Sequence, residues 1–135
     1  MIKRILHIGV AVKNIGVSSD IFTKLFGSDS PHSEIVREQK SQIAFFPVGE
    51  SFLELIQATE AGTSIEKFIE KRGEGIHHLC LEVEGLETEV KRLKVLGFQF
   101  VNESPSDGGD GYRVVFLHPK STNGVLIELA EKIAR

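Results

Sequence analysis

Two histidines and two glutamates recur in this sequence at nearly constant spacing. His78 follows His7 by 71 residues, and Glu128 follows Glu54 by 74 residues. Imidazole nitrogens and carboxylate oxygens together suit a divalent ion, in the range of Co, Ni, Zn, Mn or Mg. The repeated pattern predicts one metal site with four protein ligands. Such a site keeps one or two positions of an octahedral shell open for water or substrate, which is typical of catalysis.

Strand alternation indicates where these side chains point. Each glutamate lies between two apolar residues of a strand-like segment, so its carboxylate faces away from them. In the pair His77 and His78, the first shares its face with the apolar residues of its strand, which are expected to pack on helices. His78 shares its face with Cys80 instead. His78 is therefore the equivalent of His7.

The elements that must position these residues form two similar sets. Alternation and helical periodicity predict a strand, a helix and then further strands in each half: two strands and a weak third one in the first half, and three strands in the second. The first half has strands at 5–12, 35–37, 41–48 and 51–58 and a helix at 17–26. The second half has strands at 76–83, 98–101, 113–117 and 125–129 and a helix at 86–96.

A third helix separates the two sets. The run Thr63 to Glu66 has the form of a capping box, and Gly73 ends the helix after Lys71. We expect an α+β fold in which two βαβββ modules form a curved mixed sheet around a metal-binding cavity. The predicted boundaries within a single domain of 1–135 are 1–60 for the first module, 61–74 for the linker helix and 75–135 for the second module.

Composition excludes several classes of function. A single cysteine, Cys80, rules out sites built from several thiolates. The net charge is −3 and no basic block exceeds a pair, so binding to nucleic acid is not expected. No apolar run approaches the roughly 18 residues of a membrane span, and no leader is evident. We expect a soluble cytoplasmic protein with no nucleic acid or membrane partner.

Several strings of the sequence resemble a known family. They are LHIGVAV at 6–12, LEL at 53–55, KFIEKRGEGIHHL at 67–79, and HPKS at 118–121 followed by GVLIEL at 124–129. The chain resembles the vicinal-oxygen-chelate superfamily, which includes glyoxalase I, bleomycin-resistance proteins and ring-cleaving dioxygenases. Within it the GIHH and HPKS strings are most similar to the methylmalonyl-CoA epimerases. The resemblance covers nearly the whole chain.

The resemblance implies a metal held by His7, Glu54, His78 and Glu128. It also implies removal of the proton next to the thioester carbonyl of a methylmalonyl-CoA-type substrate, with a metal-stabilised enolate. Such a reaction needs acid–base groups on both faces of the carbon. Glu128 is the expected base, and Glu54 is the other expected catalytic carboxylate. The resemblance further implies a homodimer.

Substrate contacts are expected at three further residues. Some relatives have a carboxylate on the strand where this chain has Gln42, whose neutral amide can orient the substrate. His118 and Lys120, in a proline-containing loop before the last strand, are placed to contact an anionic substrate. Residues 105–111 are interpreted as a glycine- and aspartate-rich loop, and His32 as a solvated residue of a polar loop.

Two alternative functions stay open at this point. A glyoxalase I-like lactoylglutathione lyase would act on a glutathione thiohemiacetal and would use Glu54 and Glu128 as its acid–base pair. A non-catalytic member of the superfamily would bind a small molecule in the same cavity. The HPKS and GVLIEL strings favour the epimerase, as does the lack of inserted segments associated with glutathione-binding relatives.

Overall fold

The computed structural model describes residues 1–133 of the chain. Eight strands and three α-helices follow one another in the order predicted, so the α+β class is confirmed. The strands are β1 (Ile2–Ala11), β2 (His32–Val36), β3 (Ser41–Val48), β4 (Ser51–Ala58), β5 (Gly75–Val83), β6 (Phe100–Gly109), β7 (Tyr112–Leu117) and β8 (Ile127–Lys132). The helices are α1 (Ile15–Phe26), α2 (Ser64–Arg72) and α3 (Leu86–Val95). The pattern βαβββ therefore occurs twice, with α2 between the two copies.

The chain divides into two compact units, and the division falls inside strands β1 and β5. One unit comprises His7–His77, and the other comprises Met1–Leu6 together with the chain from His78 onward. The predicted boundaries of a single domain with two modules stay a prediction. Residues 134 and 135 of the second predicted module lie outside the described residues.

The unit His7–His77 has a mixed sheet with strands in the order β2, β3, β4, β1. β1 and β4 are parallel, whereas the other neighbours are antiparallel. Helix α1 packs against one face through a cluster that includes Ile15, Phe46 and Leu55. Helix α2 packs against residues of the opposite face, where Ile65 joins the cluster of Ile43 and its neighbours. Both faces of this small sheet are thereby partly covered.

Local signals account for the ends of α1 and α2. The Asn14 side chain accepts a hydrogen bond from the Val17 backbone N–H, so α1 begins two residues before the predicted start. Thr63 caps α2 by accepting from the Glu66 N–H, as the capping box predicts. The Glu66 carboxylate accepts from the N–H of Gly62 instead of Thr63.

The other unit has strands in the order β1, β5, β8, β7, β6. Met1 and Glu84 exchange both backbone hydrogen bonds, which is the antiparallel pattern. β5 and β8 are parallel, and β7 is antiparallel to its neighbours. Helix α3 contributes Leu86 and Leu93 to the core of this unit. Parallel pairing of the first and last strands of a module is thus common to both units.

The second half of β6 corrects the sequence interpretation. Residues 105–109 belong to a strand that was expected to end at 101, and only Asp110 and Gly111 form the turn. Both turn residues have positive φ, as in the type I′ hairpin turns that Asp-Gly favours. Register shifts between β6 and β7 accommodate the irregular sequence, and Pro105 is tolerated because β6 ends the strand order.

The position of His32 is a second correction. His32 begins strand β2 and pairs with Phe45 of β3, so it does not belong to a loop. Its ring stacks on that of Phe45, with centroids 6.1 Å apart and an interplanar angle of 11°.

Among the described residues, no helix is long and apolar enough to cross a membrane.

Candidate metal centre

His7 and Glu54 lie side by side on the parallel strands β1 and β4. Glu54 pairs in register with Gly9, two residues beyond His7, so alternation puts both side chains on one face. The distance from His7 Nε2 to Glu54 Oε1 is 3.6 Å. Both side chains are buried, with residue exposures of 7% and 4%. The predicted orientation of Glu54, away from its apolar neighbours, places it next to the imidazole.

His78 and Glu128 form an equivalent pair on the parallel strands β5 and β8. Glu128 pairs in register with Cys80, which again lies two residues beyond the histidine. The distance from His78 Nε2 to Glu128 Oε1 is 3.4 Å, and both residues are buried. One relationship between neighbouring parallel strands therefore produces a histidine–glutamate pair in each unit.

The geometry of each pair fits coordination of a divalent ion. Two ligand atoms at about 2.0–2.2 Å from one ion, roughly 90–110° apart, lie about 2.8–3.6 Å from each other. The observed separations of 3.6 Å and 3.4 Å lie at the upper end of that interval. They exceed the 2.7–3.2 Å usual for an N–H donor and an oxygen acceptor. A nitrogen and a carboxylate oxygen in each pair form a suitable donor set for Co, Ni, Zn or Mn.

An aromatic ring lies next to each glutamate on the antiparallel neighbouring strand. Phe45 pairs in register with Glu54, and Phe116 pairs with Glu128. The Phe116 ring also makes an edge contact with the His78 imidazole, at 6.1 Å between centroids. These rings limit access of water to the carboxylates. Buried ionic groups in such surroundings require a compensating charge, and a bound cation supplies one.

Gln42 does not share the face of Glu54. It pairs with Gln57, next to the Ala44–Leu55 pair whose side chains pack with α1. Its side-chain N–H donates to Ser33 Oγ on β2 at 3.3 Å. Ile43, one residue further along β3, lies on the face of Glu54 and is fully buried. The structure therefore separates Gln42 from the candidate ligand pair.

His118 and Lys120 lie at a short 3₁₀ turn, Pro119–Ser121, which precedes β8. The His118 Nδ1 accepts a hydrogen bond from the Lys120 backbone N–H at 3.1 Å and so caps this turn. Lys120 is exposed. A structural role thus accounts for one ring nitrogen of His118, and the predicted substrate contact of both residues stays a prediction.

Sequence reasoning missed a polar network on the face of β5 that carries His78. Glu82 accepts a hydrogen bond from Arg4 Nε at 2.7 Å and one from the Tyr112 hydroxyl at 3.1 Å. Burial works to raise the pKa of Glu82, but these hydrogen bonds outweigh it and lower the pKa. Burial, followed by the charge of Glu82, raises the pKa of Tyr112 to about 12. Alternation from His78 places Glu82 on this face, but nothing in the sequence pairs it with Arg4.

A second feature that sequence reasoning missed is a set of hydrogen bonds between the strands that carry the glutamates and the starts of two helices. Gln57 and Glu131 each lie three residues beyond a candidate ligand and face the opposite side of the sheet. The Gln57 side chain accepts from the Ile15 N–H at the start of α1. The Glu131 carboxylate accepts from the N–H groups of Gly85 and Leu86 at the start of α3. Both helices are thus capped from the strand that carries a glutamate ligand.

Comparison with known proteins places the chain in a family. The model of the Glyoxalase/Bleomycin resistance protein/Dioxygenase superfamily matches residues 6–116. The chain belongs to this superfamily. The match covers the first βαβββ set from Leu6 of β1 onward and the second set as far as Phe116 of β7, which agrees with the predicted resemblance to the vicinal-oxygen-chelate proteins.

Relatives within the superfamily include methylmalonyl-CoA epimerases. The mitochondrial methylmalonyl-CoA epimerase of Dictyostelium discoideum is 36% identical over 132 residues, which cover 97% of this chain and 80% of that protein. An uncharacterized protein of Bacillus subtilis (strain 168) is 36% identical over 128 residues, which cover 95% of this chain and 91% of that protein.

A solved structure shares the fold over almost the whole chain. It is a methylmalonyl-CoA epimerase in complex with methylmalonyl-CoA and NH4+. The TM-score is 0.93 at 28% identity, and the match covers 99% of this chain and 97% of that chain. The predicted resemblance to the epimerase branch of the superfamily is therefore confirmed.

Proposed function

We propose that this chain is a metal-dependent epimerase of a methylmalonyl-CoA-type acyl thioester. The observation that carries the proposal is the pair of equivalent, buried histidine–glutamate contacts at 3.6 Å and 3.4 Å. They occur in a chain 36% identical to a methylmalonyl-CoA epimerase. The proposal includes an acyl-CoA substrate, a location in the cytoplasm and assembly as a homodimer.

The proposed ligands of the ion are His7, Glu54, His78 and Glu128. The equivalence of the two pairs supports this assignment, because each repeats the same offset between strands. When bound, a divalent ion supplies a Lewis acid that stabilises negative charge developing on the thioester oxygen. The candidate ions are Co, Ni, Zn, Mn and Mg.

The proposed reaction moves one proton at the carbon next to the thioester carbonyl. Glu128 accepts this proton on one face of the carbon, and Glu54 returns a proton to the other face. The carbon is thereby inverted, and the two carboxylates have exchanged protonation states. A proton from water or a second turnover in the reverse direction restores them. A positioned acid–base group contributes about 10²–10⁴-fold to the rate of such a step.

A specific observation keeps a second function under test. Both equivalent positions carry glutamate, so a lactoylglutathione lyase, which moves a proton from one carbon to the neighbouring one, would have two carboxylates as its acid–base pair. A non-catalytic member that binds a small molecule is the third candidate. Burial of two carboxylates beside two imidazoles argues against it, because an apolar cavity avoids the cost of burying ionic groups.

The test is a solvent-exchange experiment on protein stripped of divalent ions. Each of the five ions is returned singly in D2O, and deuterium in methylmalonyl-CoA is followed by mass spectrometry. Parallel samples receive methylglyoxal with glutathione. We expect ion-dependent exchange into methylmalonyl-CoA and no consumption of methylglyoxal. Consumption of methylglyoxal without exchange would replace the epimerase by the lyase, and inactivity with every ion in both assays would favour the binding protein.

A further inference from the structure

A row of side chains crosses the sheet of the unit His7–His77 and reaches its edge strand. Gly9 on β1 pairs with Glu54 on β4, Glu54 pairs with Phe45 on β3, and Phe45 pairs with His32 on β2. Residues paired in register point to the same face of a sheet. His32 therefore lies on the face of the His7–Glu54 pair, beyond the ring of Phe45.

On this face of the sheet, helix α2 covers the neighbouring row of paired residues, whereas the row that ends at His32 reaches solvent. Ile56 and Ile43 pair with each other, and both pack in the cluster that Ile65 of α2 covers. Phe45 belongs to the same buried cluster and is 9% exposed, whereas His32, at the end of its row, is exposed. The row from Glu54 to His32 thus runs from a buried carboxylate to a solvent-facing imidazole.

We propose that His32 is a specificity-determining residue that donates a hydrogen bond to the amide group next to the thioester sulfur of the substrate. This inference rests on the proposed function, because it takes the reacting carbon to lie beside Glu54. Neutral imidazole has one N–H and can present it to an amide carbonyl.

The dimensions of the row fit this assignment. Neighbouring strands are about 4.8 Å apart, so Glu54 and His32 are separated by roughly 9.6 Å across β3. Six bonds connect the reacting carbon to the first amide carbon of a CoA thioester. An extended chain covers about 3.3–3.6 Å for every three bonds, which gives roughly 7 Å. The C=O bond adds about 1.2 Å and the hydrogen bond about 2.9 Å, so the reach is at most roughly 11 Å, which is enough to span the two strand spacings.

Contacts of the His32 ring favour a fixed orientation. The ring is stacked on Phe45 at an interplanar angle of 11°, and Phe45 in turn makes an edge contact with Phe52 at 6.1 Å. Stacking restricts the rotation of an exposed imidazole, so less rotamer freedom is lost when a ligand binds. An imidazole held in this way can distinguish substrates with an amide at this position from those without one.

The test compares variants against three methylmalonyl thioesters in the deuterium-exchange assay. The thioesters are those of CoA, of N-acetylcysteamine, which retains the first amide, and of propanethiol, which has none. The variants are His32→Ala and His32→Gln, which keeps an N–H donor. Ile35→Ala is the matched control, since Ile35 is 62% exposed on the same strand and pairs with Gln42 on the opposite face.

We expect His32→Ala to raise KM for the CoA and N-acetylcysteamine thioesters by roughly three- to tenfold, the effect of one hydrogen bond. The value of kcat and the constants for the propanethiol thioester should not change. His32→Gln should recover part of the loss, and Ile35→Ala should behave as wild type.

Other results overturn the inference. An equal KM increase with the propanethiol thioester would remove the amide as the recognised group, and unchanged constants with all three thioesters would remove His32 from substrate binding. A wild-type protein that exchanges none of the thioesters with any ion would refute the proposed function itself, and the inference with it.

Discussion

His78 Nε2 lies 3.4 Å from Glu128 Oε1 because Glu128 pairs in register with Cys80, two residues beyond the histidine. His7 and Glu54 repeat this relationship through Gly9, at 3.6 Å. The parallel pairing of the two strands determines the two-residue offset between histidine and glutamate. The alternation of side chains along each strand places both on the same face of the sheet. The duplicated arrangement makes the two histidines equivalent in the experiments below.

Removal of either histidine should lower the affinity for the ion. His7→Ala and His78→Ala each delete one imidazole ligand. We expect the dissociation constant of the added ion to rise by more than about 100-fold, because substitution of residues that only support the ligands already costs up to about 100-fold in affinity. Equilibrium dialysis with metal analysis by mass spectrometry measures this change. His77→Ala is the matched control and should retain the ion, because alternation places His77 on the other face of β5, where its ring contacts Phe68. Unchanged metal content in both ligand variants would refute the site.

Replacement of Glu128 by glutamine should abolish most of the turnover. The amide preserves the shape of the side chain but cannot accept the proton, so kcat should fall by about 10²–10⁴-fold. Glu54→Gln should have a similar effect if both carboxylates are acid–base groups. Metal content and circular dichroism of each variant separate loss of the base from loss of the ion or of the fold. Near wild-type exchange by Glu128→Gln would remove this residue as the base.

Glu131 should stabilise the fold in a pH-dependent manner. It caps α3 through Gly85 and Leu86, and hydrogen bonds from Arg113 lower its pKa. Because the pKa is lower in the folded state, the contribution is present above the unfolded value of about 4.3 and disappears as pH falls through the folded value.

Glu131→Ala should therefore cost about 1–2 kcal/mol in the free energy of unfolding at pH 7, the usual value of a helix cap. The difference from wild type should shrink in acid. Urea titrations at several pH values measure both effects. Glu103→Ala is the control, since its ion pair with Lys94 is exposed and should contribute less than about 0.5 kcal/mol. A pH-independent difference for Glu131→Ala would contradict the assignment.

Gly108 should resist substitution because β6 approaches β7 closely there. A Cβ atom at this position would lie 2.4 Å from Cγ1 of Val114, which is buried. We expect Gly108→Ala to destabilise the protein by about 1–3 kcal/mol through overpacking. The double variant with Val114→Ala should lose less stability than the two single variants together, as measured by urea unfolding. Additive losses would show that the close approach is not the cause.

Much of the secondary structure follows from local patterns in the sequence. Strands β3 and β4 have the predicted bounds, and Gly27 ends α1 in the left-handed conformation, as expected of a glycine at this position. These features depend on alternation, on turn chemistry and on helix capping, which act over a few residues. The orientation of Glu54 and Glu128 relative to their apolar neighbours was predictable for the same reason.

The errors concern residues whose environment depends on a partner strand. β6 contains Pro105 and consecutive glycines, so no alternation marks it, and its pairing with β7 through register shifts extends the strand. Gln42 pairs with Gln57, so its side chain lies on the face opposite Glu54, and its predicted substrate contact stays a prediction. His32 follows a proline in a polar segment, and only its pairing with Phe45 shows that it belongs to the sheet.

The four candidate ligands, their repetition and the order of the elements were available in the amino-acid sequence, because residue type and a period of two are local properties. The distances from His7 to Glu54 and from His78 to Glu128, and the row that ends at His32, were decided by the tertiary structure. Strand order and register bring together residues far apart in the chain. They depend on packing of the whole sheet, since a shift of one residue would turn every side chain of a strand to the other face.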